Sequence, residues 1–291
     1  MTTTEIAEQS QLTARIHTVD AANGVTYAYR RFGNTAGAPP LVFLQHFRGN
    51  LDNWDPILVD SLAQHREVVL LDNTGVGLST GTVPVSVTQM ARDAIAFLDA
   101  LDLDEVDLLG FSLGGMVAQE IALLRPRVVR RLVLAGTGPR GGRQMHGWTF
   151  DIERTAIQAD NGLEDLLHIF FGVTESSRAL GIEYVQRIFS RTENADRPTG
   201  PEVARAQYDA IVEWGIPDPS RLARLAGITA PTLVAAGDND LMIPTVNSQL
   251  LVDHLPNARL RIFSDAAHGF LFQYPSQFAT LVDEFLGGRT A

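Results

Sequence analysis

The chain of 291 residues carries 34 acidic and 23 basic side chains, a net charge of −11, 45% hydrophobic residues and no cysteine. This is the balance of a folded globular protein, neither charge-rich enough to stay disordered nor apolar enough for a membrane interior. The lack of cysteine excludes disulfides, thiolate metal sites and a Cys nucleophile. The lack of any Lys/Arg block argues against a nucleic-acid partner, because nothing would replace the phosphate counterions.

Met1 to Gln11 is polar and acidic, without the basic start and apolar run of a secretory signal. The sequence therefore predicts a short disordered tail and a cytoplasmic protein. No apolar stretch reaches the roughly 20 residues that a membrane span needs, so no membrane partner is expected.

Apolar runs then alternate with helical patterns. Strands are predicted at Gly24–Phe32, Leu41–Gln45, Val68–Leu71, Val106–Gly110, Arg131–Ala135, Thr232–Ala236 and Arg259–Phe263. Several are short and continuously apolar, as strands buried on both faces of a parallel sheet are. Helical periodicity lies between them at Val87–Leu101, Leu113–Arg125, Val246–His254 and Pro275–Leu286. That alternation predicts an α/β fold with a mostly parallel central sheet covered by helices.

The alternation breaks over residues 138–227. Helical patterns at Trp148–Ala159, Leu163–Phe171, Arg178–Arg191 and Glu202–Trp214 are separated by turns such as Asn161-Gly162, and no strand fits. This segment reads as a helical lid inserted between residues 1–137 and 228–291 of the sheet domain. There is no internal repeat and no low-complexity tract.

The chemistry centres on Gly110-Phe111-Ser112-Leu113-Gly114-Gly115, which joins the strand Val106–Gly110 to a helix. A turn that tight needs flanking residues nearly free of side chain, and it leaves the serine hydroxyl exposed at the helix N-terminus. The backbone N–H of Leu113 then faces a bound carbonyl, aided by the helix dipole. Ser112 is the candidate nucleophile, against the alternative of a glycine-rich turn with a capping serine.

A serine nucleophile needs a base, and the base an orienting acid. His146 and His168 lie in the inserted segment and His254 on a helix. His268 follows the last strand in a loop, where it can hang over the sheet edge, and is the candidate base. The loop after Thr232–Ala236 reads Gly237-Asp238-Asn239-Asp240, so Asp238 and Asp240 both qualify as the acid. Gly237 supplies a turn there and Asp238 can cap the loop, while Asp240 comes later and can project across the edge. The loop Gln45-His46-Phe47-Arg48 follows the second predicted strand, and Phe47 N–H is the candidate second oxyanion donor. His46 precedes the nucleophile and suits a structural or oxyanion-side role better than proton transfer.

On these motifs the chain resembles the α/β-hydrolase superfamily, in particular bacterial serine esterases, lactonases and cofactor-free haloperoxidase-like perhydrolases with a helical lid. The resemblance spans roughly Gly24 to Leu286. It departs in carrying Gln45-His46 ahead of the oxyanion residue Phe47, where relatives have His-Gly, and Thr74 within Asp72-Asn73-Thr74-Gly75-Val76-Gly77-Leu78-Ser79, where relatives have arginine. The family order of serine, acid and histidine, with its Gly-x-x-Asp after the acid's strand, implies Asp240 as the acid. It implies acyl transfer through Ser112, Asp240 and His268, with Phe47 and Leu113 N–H as the oxyanion hole and no cofactor or metal. The many lid aromatics, among them Trp148, Phe150, Phe170, Phe171, Phe189 and Trp214, lead us to expect a small or medium apolar ester or lactone as partner.

Carbon–carbon, amide and perhydrolytic chemistry share the same triad, and a non-catalytic sensor could use the same pocket. Ser112 argues against the dehalogenases and epoxide hydrolases that use aspartate. Gly75-Val76-Gly77 lacks the third glycine of a dinucleotide loop, and the histidines are too scattered for a metal hydrolase.

Overall fold

The computed structural model describes residues 9–35, 37–158 and 162–288. Its strands are β1 (His17–Asp20), β2 (Thr26–Gly33), β3 (Leu41–Leu44), β4 (Glu67–Leu71), β5 (Val106–Phe111), β6 (Val129–Ala135), β7 (Thr232–Gly237) and β8 (Ala258–Phe263). They form one sheet in the order β1-β2-β4-β3-β5-β6-β7-β8. The first two strands run antiparallel to their neighbours, and the other pairings are parallel. Strands β3, β4, β5 and β7 are buried along their whole length, which is why they read as mainly apolar runs.

Helices α1 (Pro56–Ala63), α2 (Val87–Ala100) and α3 (Leu113–Leu124) lie among the first six strands. After β6 come α4 (Phe150–Ile157), α5 (Leu163–Phe170), α6 (Glu175–Ile188), α7 (Pro201–Trp214) and the single turn α8 (Pro219–Leu222), with no strand among the described residues of this stretch. Helices α9 (Val246–His254), α10 (Phe270–Gln273) and α11 (Pro275–Leu286) complete the chain.

The differences from the sequence reading are local. β1 was not predicted: its four residues alternate half-buried and exposed on an outer strand, so no apolar run marks it. α1 was also missed, although Asp55 caps it, accepting from Ile57 N at 2.8 Å, and Pro56 opens it. The third inserted helix begins earlier than its periodicity suggested, because Thr174 caps it by accepting from Ser177 N. Of the predicted Trp148–Ala159 helix, Phe150–Ile157 is helical and Ala159 lies outside the described residues, as does Asn161 of the predicted turn.

The predicted N-terminal tail extends too far. Residues 1–8 lie outside the described residues, but Gln11 is 2% exposed, and its side chain donates to Leu51 O at 2.6 Å. Its backbone N–H donates to Asp60 at the same distance. No helix among the described residues is long and apolar enough to cross a membrane.

One buried charge ties the sheet to the helices on its flank. Asp107, fully buried near the start of β5, accepts two hydrogen bonds from Arg130 of β6, and Arg66 stands 3.8 Å away. Arg66 in turn pairs with Asp283 of α11. Burial still pushes the Asp107 carboxyl above its ordinary pKa, with Arg130 opposing. Truncating one member of such a buried pair strands the others without a counter-charge. Asp107→Ala should therefore lose about 3–5 kcal/mol of stability, read from urea unfolding. A loss below about 1 kcal/mol, the scale of a surface pair, would refute this account.

Candidate active site

Ser112 sits between β5 and α3 at φ 55° and ψ −118°, a left-handed conformation rare for a residue with a side chain. Its backbone is over-determined: Ser112 N–H donates to Ala135 O at 2.9 Å, and its carbonyl accepts from the Thr137 hydroxyl at 2.8 Å. A Cβ at Gly114 would run into the Leu44 carbonyl oxygen at the end of β3. The glycine is thus required by the close approach of α3 to the neighbouring strand.

The structure brings His268 and Asp240 to this serine. His268 Nε2 lies 2.9 Å from Ser112 Oγ, and Nδ1 lies 2.7 Å from Asp240 Oδ2. A carboxylate oxygen only accepts, so Nδ1 carries the proton and Nε2 presents a lone pair to the serine hydroxyl. Asp240 Oδ1 is held by Met242 N–H and Ile243 N–H, each at 2.9 Å. The imidazole is 1% exposed and stacks on Phe170 at 5.9 Å between ring centres, so an inserted helix fixes its plane.

Asp238 takes a different place. It is exposed, and its carboxylate accepts from Asp265 N–H and Ala266 N–H, tying down the loop that carries His268. Gly237 is not the turn residue that its sequence context suggested. It ends β7, and a Cβ there would meet the Ala266 and Ala267 carbonyls. His146, His168 and His254 lie away from this cluster, bonded respectively to Val212 O, near Asp151, and to Leu250 O.

The N–H groups of Leu113 and Phe47 have no acceptor among the described residues, whereas those on either side of Phe47 are engaged. Arg48 N–H donates to Gln207 of α7, Gly49 N–H to His46 O, and His46 N–H to the Gln45 side chain. The Arg48 guanidinium reaches Ala156 O and Gln158 O at the end of α4, and Thr199 donates to Arg48 O. Helices inserted more than 100 residues downstream thus brace the loop that carries Phe47. Arg48, Gln207 and Thr199 have no local sequence signal, because each partner is remote in the chain.

His46 is 6% exposed and packs edge-on against Phe111 and Phe170. Its Nδ1 donates to Phe47 O at 2.8 Å, and its Nε2 is buried without a partner. Burial lowers its pKa to about 3, with the Phe47 carbonyl opposing and nearby His268 adding to the drop.

Ser112 and His268 open on a cavity of about 470 Å³. One wall is apolar, with Phe47, Leu166, Ile169, Phe170 and Met242. Another is polar: Asn50, Asp52, Arg191 and Asp196 line it and are bonded to one another or to neighbouring backbone. Of the six inserted aromatics singled out from the sequence, Phe170 and Phe189 line the cavity. Trp148 packs on Phe47 at 5.1 Å, Phe171 and Trp214 are buried, and Phe150 points to solvent.

With this geometry established, comparison with known proteins places the chain. The description of the α/β hydrolase fold matches residues 39–275. The chain belongs to the α/β-hydrolase fold family. A solved α/β hydrolase fold protein from Chitinophaga pinensis superposes with a TM-score of 0.89 at 39% identity, over 96% of this chain and 99% of that one. A candidate carbamate hydrolase, RutD, from Caulobacter sp. (strain K31) is 28% identical over 82% of this chain and 87% of its own length. The poly(3-hydroxyalkanoate) depolymerase of Ectopseudomonas oleovorans is 29% identical over 85% of this chain and 84% of its own. The family and its named relatives put this chain among the hydrolases of that fold.

Behind the polar wall Asp72, fully buried at the end of β4, meets Asp196 of the inserted segment. Both accept the N–H of Leu51, at 3.0 and 3.2 Å. Burial first, and the Asp196 carboxyl second, push the Asp72 pKa well above its ordinary 3.8. A proton held more tightly in the folded than in the unfolded chain stabilises the fold fully below the unfolded value. That stabilisation is lost as pH rises through the folded value. Asp72→Asn, which needs no proton, should therefore lose less stability than the parent as pH rises above the ordinary carboxylate range in urea titrations. Equal losses in the two proteins would refute the shared-proton account.

Proposed function

We propose that this protein is a serine hydrolase that cleaves an ester or lactone through an acyl-enzyme. The observation that carries the reading is the hydrogen-bonded series Ser112–His268–Asp240, with Ser112 and His268 lining a mainly apolar cavity. In this reading Ser112 Oγ attacks the carbonyl carbon while its proton passes to His268 Nε2, and Asp240 stabilises the resulting imidazolium. The oxyanion is held by Phe47 and Leu113 N–H, which have no internal acceptor to give up. His268 then hands its proton to the leaving alkoxide, and water repeats the sequence on the acyl-enzyme. No step calls for a cofactor.

Residues 138–227 are read as the lid, since they supply Phe170 and Phe189 to the cavity and brace the Phe47 loop. The polar wall suits a substrate with a hydrogen-bonding group remote from an apolar acyl portion. The depolymerase relative favours ester chemistry, and the candidate carbamate hydrolase keeps a related acyl carbon in view. A cytoplasmic setting remains part of this proposal.

Ser112→Ala should lower kcat on p-nitrophenyl esters by on the order of 10⁴–10⁶ while leaving the circular-dichroism spectrum unchanged. A phosphonate probe should add its mass at Ser112 in the parent only. Asp240→Asn should cost roughly 10⁴ in kcat, and Asp238→Asn far less. Parent-like turnover by the alanine variant would end the serine mechanism, and ligand binding with no turnover on any ester or lactone would favour a sensor.

His46 stays neutral down to about pH 3, so a limb of kcat/KM at higher pH belongs to another group. In His46→Gln that limb should stay where it is in the parent. A shift of the limb in this variant would give His46 a direct part in proton transfer.

A further inference from the structure

We propose that a crevice at the amino-terminal ends of β6, β7 and β8 binds a small phosphate-type oxyanion, gripped by Arg131 and Arg259. The crevice encloses about 220 Å³ and is lined by both arginines, Thr232, Asn257, Phe285 and Gly288, among others. No carboxylate lines it among the described residues. That is unexpected in a chain with 34 acidic side chains against 23 basic ones, where counter-charges are plentiful. Arg130, the residue beside Arg131, shows the ordinary outcome in its two bonds to Asp107.

Neither guanidinium group of the crevice makes a salt bridge among the described residues, and Asp107, already paired with Arg130, acts on Arg131 only as a more distant charge. Both lie over the ring of Phe285, Arg131 at 5.6 Å and Arg259 at 5.0 Å from its centre. Arg131 Nη1 also donates to Phe285 O at 2.6 Å, capping the last turn of α11. The cation–π contacts and the cap fix the positions of the two groups but satisfy few of their donors. Nε and Nη2 of Arg259 are buried and have no acceptor. Such donors are costly to leave unmade, and a ligand bearing acceptor oxygens would satisfy them.

The arrangement selects among anions. A carboxylate offers two oxygens in one plane and is matched by a single guanidinium fork. Here both arginines line one crevice together with Asn257, so two positive charges face the same space. A tetrahedral dianion presents oxygens to both forks at once and balances both charges. Preorganisation by Phe285 reduces the ordering that binding would otherwise cost. The ligand is therefore inorganic phosphate or the phosphate of a small phosphomonoester.

This site is separate from the hydrolytic one. The crevice lies where β7 begins, while Asp240 follows its end, and the strand's six residues span about 20 Å. An anion here would clamp the end of α11 to the sheet edge without touching substrate.

The test is calorimetric titration of the full chain with inorganic phosphate and with glycerol 3-phosphate, against acetate and chloride at matched ionic strength. We expect saturable one-site binding of phosphate with Kd below about 1 mM and a rise in the thermal midpoint at saturation. Arg259→Gln, which leaves the Arg131 cap in place, should weaken binding by about tenfold or more, and Arg131→Lys should weaken it as well. Ester hydrolysis should be unchanged by phosphate and by Arg259→Gln. Tighter binding of glycerol 3-phosphate than of phosphate would assign the site to a phosphomonoester, and equal or weaker binding to free phosphate. No saturation by about 10 mM phosphate, equal heats from acetate or chloride, or undiminished binding by Arg259→Gln would overturn the proposal.

Discussion

The turn at Ser112 is the constraint from which the site follows. A side-chain-bearing residue at φ 55° and ψ −118° costs on the order of 1–3 kcal/mol, so the conformation persists only if its surroundings impose it. They do so through a backbone bond to the end of β6 and the Thr137 hydroxyl on one side and the close approach of Gly114 to β3 on the other. Both neighbours belong to the parallel sheet, whose register sets where each strand ends. The same sheet sends β7 and β8 out on the same edge as β5, which is why Asp240 and His268 arrive within hydrogen-bond reach of the serine.

A second layer of support comes from the inserted helices. Phe170 stacks on His268, Gln207 takes up the Arg48 N–H, and the Arg48 side chain reaches back to the end of α4. These contacts leave two backbone donors, Phe47 and Leu113, unengaged beside the serine. The triad geometry is therefore supported by residues that never touch Ser112, His268 or Asp240 directly or that only pack on them, and loosening these helices would cost that geometry. His46 belongs to this layer too: burial holds it neutral, and its bond to Phe47 O steadies the loop.

The buried ionisable groups divide by location. Asp107 and its arginines form a structural tie at the flank of the sheet, with charges compensated. Asp72 and Asp196 meet behind the cavity on the Leu51 N–H, and burial together with the second carboxyl raises the Asp72 pKa with no cation to oppose it. Arg131 and Arg259 make no salt bridge among the described residues and are held by the ring of Phe285, with Asp107 acting on Arg131 only at a distance. That difference separates a structural pair from a candidate ligand site.

The sequence by itself determined the fold class, the strand–serine–helix turn and, with the family resemblance, which aspartate and which histidine meet the serine. These features are written in local pattern: apolar runs for buried strands, glycines where backbone must approach backbone, and loops at strand ends. Where local pattern was weak, it fell short. β1 is too short and too exposed to mark itself, and α1 went unseen although Asp55-Pro56 announces its start. Gly237 resembled a turn residue because its need for close packing against residues 266–267 arises only in three dimensions. The tertiary structure alone decided that Asp238 ties the His268 loop, that the cavity has a polar wall, and that Arg48 is braced by Gln207. It alone also showed which arginines lack partners. Each of these depends on contacts between residues tens to hundreds of positions apart, and side-chain pairing at that separation is set by packing, which leaves no periodic trace in the chain.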